Sequence, residues 1–279
     1  MSQIEISTTK IIKFKNSEFT ELSDSLAIEE PLEISLSYWK EEQLINKNIS
    51  ITMRTPGADT ELALGFLVTE GIIKLADDIE RVSEILENKV TIKLKKGVEF
   101  DLSKIERHFY TSSSCGVCGK SSIDSIRTIH RKSDSFDKLN DSSIMKISKE
   151  IILNLNKQVT SQQAVFESTG GLHASSLFNL KGEFLELYED VGRHNALDKL
   201  IGSKFLKNEF PLKENILLLS GRASFELIQK AAMADISVIC ALGAPSSLAV
   251  SLAKEFDITL IGFLKENSFN IYNGAENIV

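Results

Sequence analysis

Cysteine is scarce in this chain: three residues, Cys115, Cys118 and Cys240, among 279. An odd count spread so thinly excludes a disulfide framework and fits a reducing compartment, so any cysteine chemistry is thiol chemistry. Long apolar runs are missing as well. No stretch approaches the ~18 uncharged apolar residues of a membrane helix, and the first residues, MSQIEISTTKIIKFKN, lack the apolar centre of a signal peptide. A cytoplasmic protein with no membrane contact is expected. Basic residues are in deficit: 32 Lys and Arg against 39 Asp and Glu leave a net charge of −7, the wrong sign for broad nucleic-acid binding. A phosphorylated ligand would have to be held by local groups. What the chain has in quantity is core material, 42% hydrophobic residues, enough for one large or two small domains.

The pattern divides the chain into an N-terminal α+β part at 1–102, a connection at 103–143 and an α/β part at 144–279. In the first, strands are expected at about 30–39 (PLEISLSYWK), 48–54 and 89–95, the last alternating Val90, Ile92 and Leu94 with Thr91, Lys93 and Lys95. A helix over about 59–71 follows a TPG turn, with Asp59 or Thr60 to cap it and Leu62, Ala63, Phe66 and Leu67 at helical spacing. The connection is polar and serine-rich, the expected flexible segment. The third part opens on a helix over about 143–157 and a hairpin turning at Asn179 to Gly182. Then helices and strands alternate, in RHNALDKLIGSKFLK, NILLLS, FELIQKAAMAD, ISVICAL, PSSLAVSLAKEF and ITLIGFL. That order predicts βαβ units and a mostly parallel sheet flanked by helices.

Ligands of such sheets bind beyond the carboxyl ends of the strands. Ser220, Gly221 and Arg222 follow one strand and open a helix, which aims free N–H groups, the helix dipole and a guanidinium at one place. Gly243, Ala244 and Pro245 repeat the arrangement, with Ser246 and Ser247 to cap. Each is equally readable as a well-capped strand-to-helix turn. His194, between Arg193 and Asn195, is a general acid or base, a cofactor contact or simply a polar helix start. His173 follows paired glycines, where backbone approaches a ligand or merely turns. His108 and His130 sit in unpatterned polar sequence, and Cys240 falls among apolar neighbours as a core residue.

Cys115 and Cys118 lie in TSSSCGVCGK. A CxxC pair is a redox couple, half a metal site or a sulfur carrier. Zinc needs a second ligand pair, and only scattered histidines remain, so no metal is expected. The zinc-deaminase signature fails, since His173 is followed by Ala174 and Ser175 and the only cysteine pair precedes it. A thioredoxin-like couple would sit at a helix start after a strand, which SSSCGVCGKSS does not resemble. What remains is a partly ionised thiol pair on a movable arm beside Lys120.

Taken together, TPGADTELALGFLVTEGII, SSSCGVCGK, TGGLHAS, EDVGRHNALDKLIG, SGRASFELIQKAAMADI and ALGAPSSLAVSLAKEFDITLIGF resemble the FdhD family of sulfur carrier proteins, formate dehydrogenase accessory sulfurtransferases. The matching blocks run in the family's order from about residue 50 to the C-terminus; the first ~45 residues match nothing of use. The resemblance implies an α/β protein with a cytidine-deaminase-like core but no deaminase activity, acting as a homodimer. It implies that Cys115 accepts persulfide sulfur from a cysteine desulfurase, with Cys118 assisting. The sulfur would pass to the Mo-bis(molybdopterin guanine dinucleotide) cofactor before insertion into the formate dehydrogenase catalytic subunit, and a guanine nucleotide such as GDP would fit the same site. Leu260, Ile261, Gly262, Phe263, Leu264 and Lys265 would line that cofactor site, with Arg222, His194 and Asn195 beside them.

Overall fold

The computed structural model describes residues 6–86, 88–100, 146–160 and 169–279. Cys115, Cys118, Lys120, the 103–143 connection, His108, His130 and the first residues of the helix expected from 143 lie outside the described residues.

Strands β1 (Ile6–Lys15) and β2 (Glu18–Ala27) form an antiparallel hairpin by themselves. Its turn residues, Asn16 and Ser17, have φ of 52° and 68°, the left-handed pair that a two-residue hairpin loop demands. Sequence reasoning missed this hairpin because both strands are largely polar and charged, with no buried face to set a period. Next comes a four-stranded sheet of β3 (Glu30–Lys40), β4 (Gln43–Arg54), β5 (Ile79–Leu86) and β6 (Lys89–Leu94), in the order β4-β3-β6-β5. Alternation decides its faces: Leu32, Ile34 and Leu36 of β3 and Val90, Ile92 and Leu94 of β6 are buried, and the residues between them point the other way.

Helix α1 (Asp59–Thr69) packs in the same hydrophobic cluster as that buried face. Leu62, Leu64 and Leu67 are all buried, so the helix is apolar on every side, as a helix enclosed between layers must be. Beyond it lie α3 (Arg193–Leu206), α4 (Phe225–Met233) and α5 (Ser247–Glu255), then a six-stranded sheet, then α2 (Lys149–Thr160). The sheet runs β12-β11-β10-β9-β7-β8, from β7 (His173–Asn179), β8 (Phe184–Asp190), β9 (Asn215–Leu219), β10 (Val238–Ala241), β11 (Thr259–Gly262) and β12 (Asn270–Asn273). Leu217 and Leu219 join the α1-side cluster while Ile216 and Leu218 join the α2 side, so the central strands are covered on both faces. Cys240 of β10 is fully buried on the α2 side.

The sheet is mixed rather than mostly parallel. Only β9, β10 and β11 run parallel; β7 is antiparallel to both β8 and β9, and β12 to β11. The reason lies in the connections: β7–β8 is a hairpin, and β12 returns to β11 after too few residues for a crossover. β5, interrupted by two register shifts, and β12, only four residues long, were also not legible as strands.

The layers are pinned where α1 crosses α3. A Cβ placed on Gly65 would lie 1.8 Å from the Asp198 carbonyl oxygen, and one on Gly202 would lie 1.9 Å from that of Glu61. Backbone rests on backbone there. Beside the crossing, Lys230 Nζ of α4 binds both carboxylate oxygens of Asp198, at 3.0 and 2.8 Å, and the hydroxyl of Thr69 on α1 at 2.9 Å. Helix glycine to alanine ordinarily stabilises by about 1 kcal/mol. Gly202→Ala is expected to do the opposite, losing about 3 kcal/mol through overpacking, measured as a lowered urea midpoint at unchanged slope.

Candidate functional site

Five of the segments singled out in the sequence meet along one edge of the six-stranded sheet. Parallel pairing of β9, β10 and β11 carries Ser220–Arg222, Gly243–Pro245 and Phe263–Lys265 to the same side. β7 runs the other way, so its first residue, His173, arrives there too, paired with Asp190 at the end of β8, just before α3 begins.

The turns are zipped to one another past the strand ends. Gly243 N–H donates to the Gly221 carbonyl (2.9 Å), Ala223 N–H to that of Ala244 (3.2 Å), and Ser246 N–H to that of Ala223 (3.0 Å). Phe263 N–H continues the series to the Gly243 carbonyl at 3.1 Å. The close approach needs glycine: a Cβ on Gly243 would sit 3.0 Å from the Arg222 nitrogen, and one on Gly262 only 2.9 Å from Pro245 Cδ. Phe263 has φ of 53° and is 42% exposed. A bulky residue in the left-handed region is held there by its surroundings.

Above the turns stand two histidines. Gly221 leaves room for the His173 ring, whose Nδ1 would be 3.4 Å from a Cβ at that position. His194 Nε2 is 3.5 Å from the Ser224 hydroxyl and 3.7 Å from Glu226 Oε2. Ser224 is the N-cap of α4 yet makes no capping bond, whereas Ser246 accepts from Ala249 N–H and caps α5. The Gly192 start of α3 carries no side-chain cap either. Two helix starts therefore present uncapped N–H groups to this edge, near Arg222 and near Arg193, whose Nε is buried without a partner. Burial, with Lys230 next, pushes the His194 imidazole down to about 4, against a smaller opposing pull from Glu226. His173 is lowered as well, by burial and then Arg193. Both rings are neutral at neutral pH, able to accept or donate one hydrogen bond each.

The expected site residues divide accordingly. Arg222 is exposed on its turn and His194 stands at the edge. Asn195 is buried and spends its amide on the fold: Nδ2 donates to the Met53 carbonyl (2.7 Å) and Asp190 (3.1 Å), and Oδ1 accepts from Thr52. Leu260 and Ile261 are strand core, Leu264 is also buried, and Gly262 is wedged between Pro245 and Tyr272. Of that segment Phe263 and Lys265 face outward. Two features were not assigned to the site from the sequence, although Arg193 was noted beside His194. Arg193 belongs with the histidines, and a cavity of about 250 Å³ is lined by Thr55, Gly57 and Ala58 of the TPG turn with Tyr188 and Lys199. Gly57 and Ala58, at φ of 104° and 54°, take part in it through the one signal available, a TPG turn directly before a helix.

The model of the FdhD/NarQ family matches residues 27–279. The chain belongs to that family. It is 42% identical over 278 residues to the sulfur carrier protein FdhD of Streptomyces coelicolor, spanning 96% of this chain and 94% of that one. Identity to the sulfur carrier protein FdhD of Sulfolobus acidocaldarius is 40% over 275 residues, 99% of each chain. A solved structure of a formate dehydrogenase accessory protein from Desulfotalea psychrophila superposes with a TM-score of 0.71, covering 99% of this chain and 100% of the other at 22% identity. That likeness speaks for the shared mixed α/β fold. Among the described residues no helix is long and apolar enough to cross a membrane.

The His194 environment has a measurable consequence. Its folded value lies below the 6.5 of a free histidine, so between about 4 and 6.5 the unfolded chain binds a proton that the folded chain refuses. Stability present above pH 6.5 is therefore lost as pH falls toward 4, damped because the side chain is 37% exposed. NMR titration should find the His194 ring titrating near 4, and His194→Gln should flatten the fall of urea midpoint over that window; titration near 6.5 would contradict the burial argument.

Proposed function

We propose that this chain is a sulfur carrier that serves formate dehydrogenase maturation, with Cys115 as the carrying thiol. The observation that carries the reading is the family match over 27–279 together with 42% identity to a protein named as a sulfur carrier. The chemistry balances with the chain's own thiols. The Cys115 thiolate attacks the terminal sulfur of a cysteine desulfurase persulfide, forming a new S–S bond and releasing the desulfurase thiolate. Cys118 thiolate then attacks Cys115 sulfur: a Cys115–Cys118 disulfide forms, the terminal sulfur leaves as hydrosulfide, and its two electrons come from the thiol pair. A reductant of the cytoplasmic thiol pool, where we place the protein, resets the disulfide.

The acceptor in this reading is the Mo-bis(molybdopterin guanine dinucleotide) cofactor, bound as client substrate at the sheet edge before it enters the formate dehydrogenase catalytic subunit. Uncapped helix starts beside Arg193 and Arg222 suit its phosphates. The exposed ring of Phe263 and the cation of Lys265 suit a guanine nucleotide, GDP included. His194 and His173, neutral, serve as hydrogen-bond partners, and Asn195 acts from behind by holding α3 to β4. We read the helix-covered six-stranded sheet as a cytidine-deaminase-like core without deaminase chemistry, and the working unit as a homodimer.

Mass spectrometry after incubation with a desulfurase and cysteine should find one added sulfur atom on the peptide that contains Cys115, absent in Cys115→Ala. In cells, Cys115→Ala should reduce formate dehydrogenase activity to background while Cys118→Ala keeps part of it. Full activity from the double variant would leave a cofactor-binding chaperone; equal and total loss with no sulfur adduct would favour a dithiol redox protein.

A further inference from the structure

The outward face of the four-stranded sheet is not an ordinary solvated surface. An exposed sheet face normally carries polar side chains that stand in water, yet Ser35 and Ser37 at the middle of β3 are only 5% and 4% exposed. They form the floor of a trough of about 580 Å³, within the range of small-molecule sites. Register sets its lining. Asn48, Ser35, Thr91 and Ser83 lie side by side across β4, β3, β6 and β5, and Asn46, Ser37, Lys93 and Arg81 form the next row.

The groups in this trough have donors to spare. Its two carboxylates are matched, Glu33 to Lys89 at 2.6 Å and Glu80 to Lys93 at 2.7 Å. Arg81 is exposed at the rim with no ion-pair partner among the described residues. One step further along the same face of β3, Trp39 has its indole Nε1 buried without an acceptor. Lys93 and Lys96 sit 5.7 and 5.9 Å from its ring centre. A buried donor with no acceptor is costly unless something supplies one.

We propose that this trough binds a phosphorylated sugar, free or as part of a nucleotide. Arg81 presents a planar fork that matches phosphate oxygens, and Lys93, which lies over the Trp39 ring, adds a cation at the same end. The Ser35 and Ser37 hydroxyls donate to Glu33 and Asn46 and so face the floor as acceptors, while Thr91 and the amides of Asn46 and Asn48 complete the mixed donors and acceptors that sugar hydroxyls require. An apolar ligand is excluded, because it would strip water from the half-buried Thr91 and Asn48 with nothing in return. The trough lies on the four-stranded sheet, separate from the strand ends of the six-stranded one, so it stands or falls apart from sulfur transfer.

Trp39 is the only tryptophan of the chain, and with Lys93 of the trough 5.7 Å from its ring centre its emission reports on this end of the sheet face. Titration of the whole protein with ribose 5-phosphate should change that emission saturably, with ribose and inorganic phosphate each weaker. Arg81→Ala, an exposed change that leaves the sheet intact, should weaken binding about tenfold, the size of one lost charge-assisted contact. Calorimetry with adenosine and guanosine monophosphates separates the sources: tighter binding than the sugar phosphate names a nucleotide, equal or weaker binding a free sugar phosphate. The proposal is overturned if no probe gives a saturable response at millimolar concentration, or if Arg81→Ala binds as tightly as the wild type.

Discussion

The contact between α1 and α3 at Gly65 and Gly202 governs how everything else is placed. With no side chain on either helix at the crossing, the backbones meet, and the four-stranded sheet on one side is brought as close to the six-stranded sheet on the other as peptide planes allow. Leu32, Ile92, Leu64, Leu200 and Leu217, from residues far apart in the chain, thereby share one continuous hydrophobic cluster. Charge follows the same geometry. Lys230, Asp198 and Thr69 close the gap between three helices, and Arg54 makes a two-point contact with Asp59 at 2.9 and 2.7 Å where β4 hands the chain to α1. Removal of one partner of such a pair strands a buried charge, so these groups specify the layer arrangement more than they add to its strength.

From that crossing the candidate edge is only a few residues away. α3 carries Asp198 and Gly202 in its body and Arg193, His194 and Asn195 at its start, so the helix that locks the layers also aims the histidine edge. Asp190 anchors that start: it is fully buried and accepts from Thr55 N–H, Gly192 N–H, Asn195 and Lys199. The TPG turn before α1 is thus tied to the same carboxylate as the helix beside it. Rigid support of this kind is what a site assembled from five separate segments requires.

Much of this was legible in the residues. The alternation of Val90, Ile92 and Leu94, the apolar spacing of α1, the Asn179–Gly182 turn and the repeating helix–strand order after Arg193 each correspond to an observed element. That the strand-to-helix turns at Gly221 and Gly243 lie side by side was also readable, since parallel strands end together. Strand direction was less readable. Nothing local in HASSLFN says that β7 runs against β9, because direction is set by pairing across the sheet. Asn195 shows the limit for single side chains: beside a histidine at a helix start it looks like a ligand group, and only its partners Met53 and Thr52, well over a hundred positions away, show an amide occupied by the fold. The trough on the outer face of β3 was invisible for a similar reason. Serines at alternate positions read as a solvated strand face until the rows of the neighbouring strands are laid beside them.

Cys240 gives the molecule a chemical simplicity that its cysteine count conceals. It is fully enclosed by the α2-side cluster, and burial pushes its thiol up to about 12. At cellular pH it holds essentially no thiolate, and thiolate is the form that attacks sulfur, metals and oxidants. Thiol chemistry of the folded chain is therefore closed to Cys240, which leaves Cys115 and Cys118 as the other two thiols of the sequence. Only unfolding would bring the third thiol into play, which makes its silence a property of the native core itself.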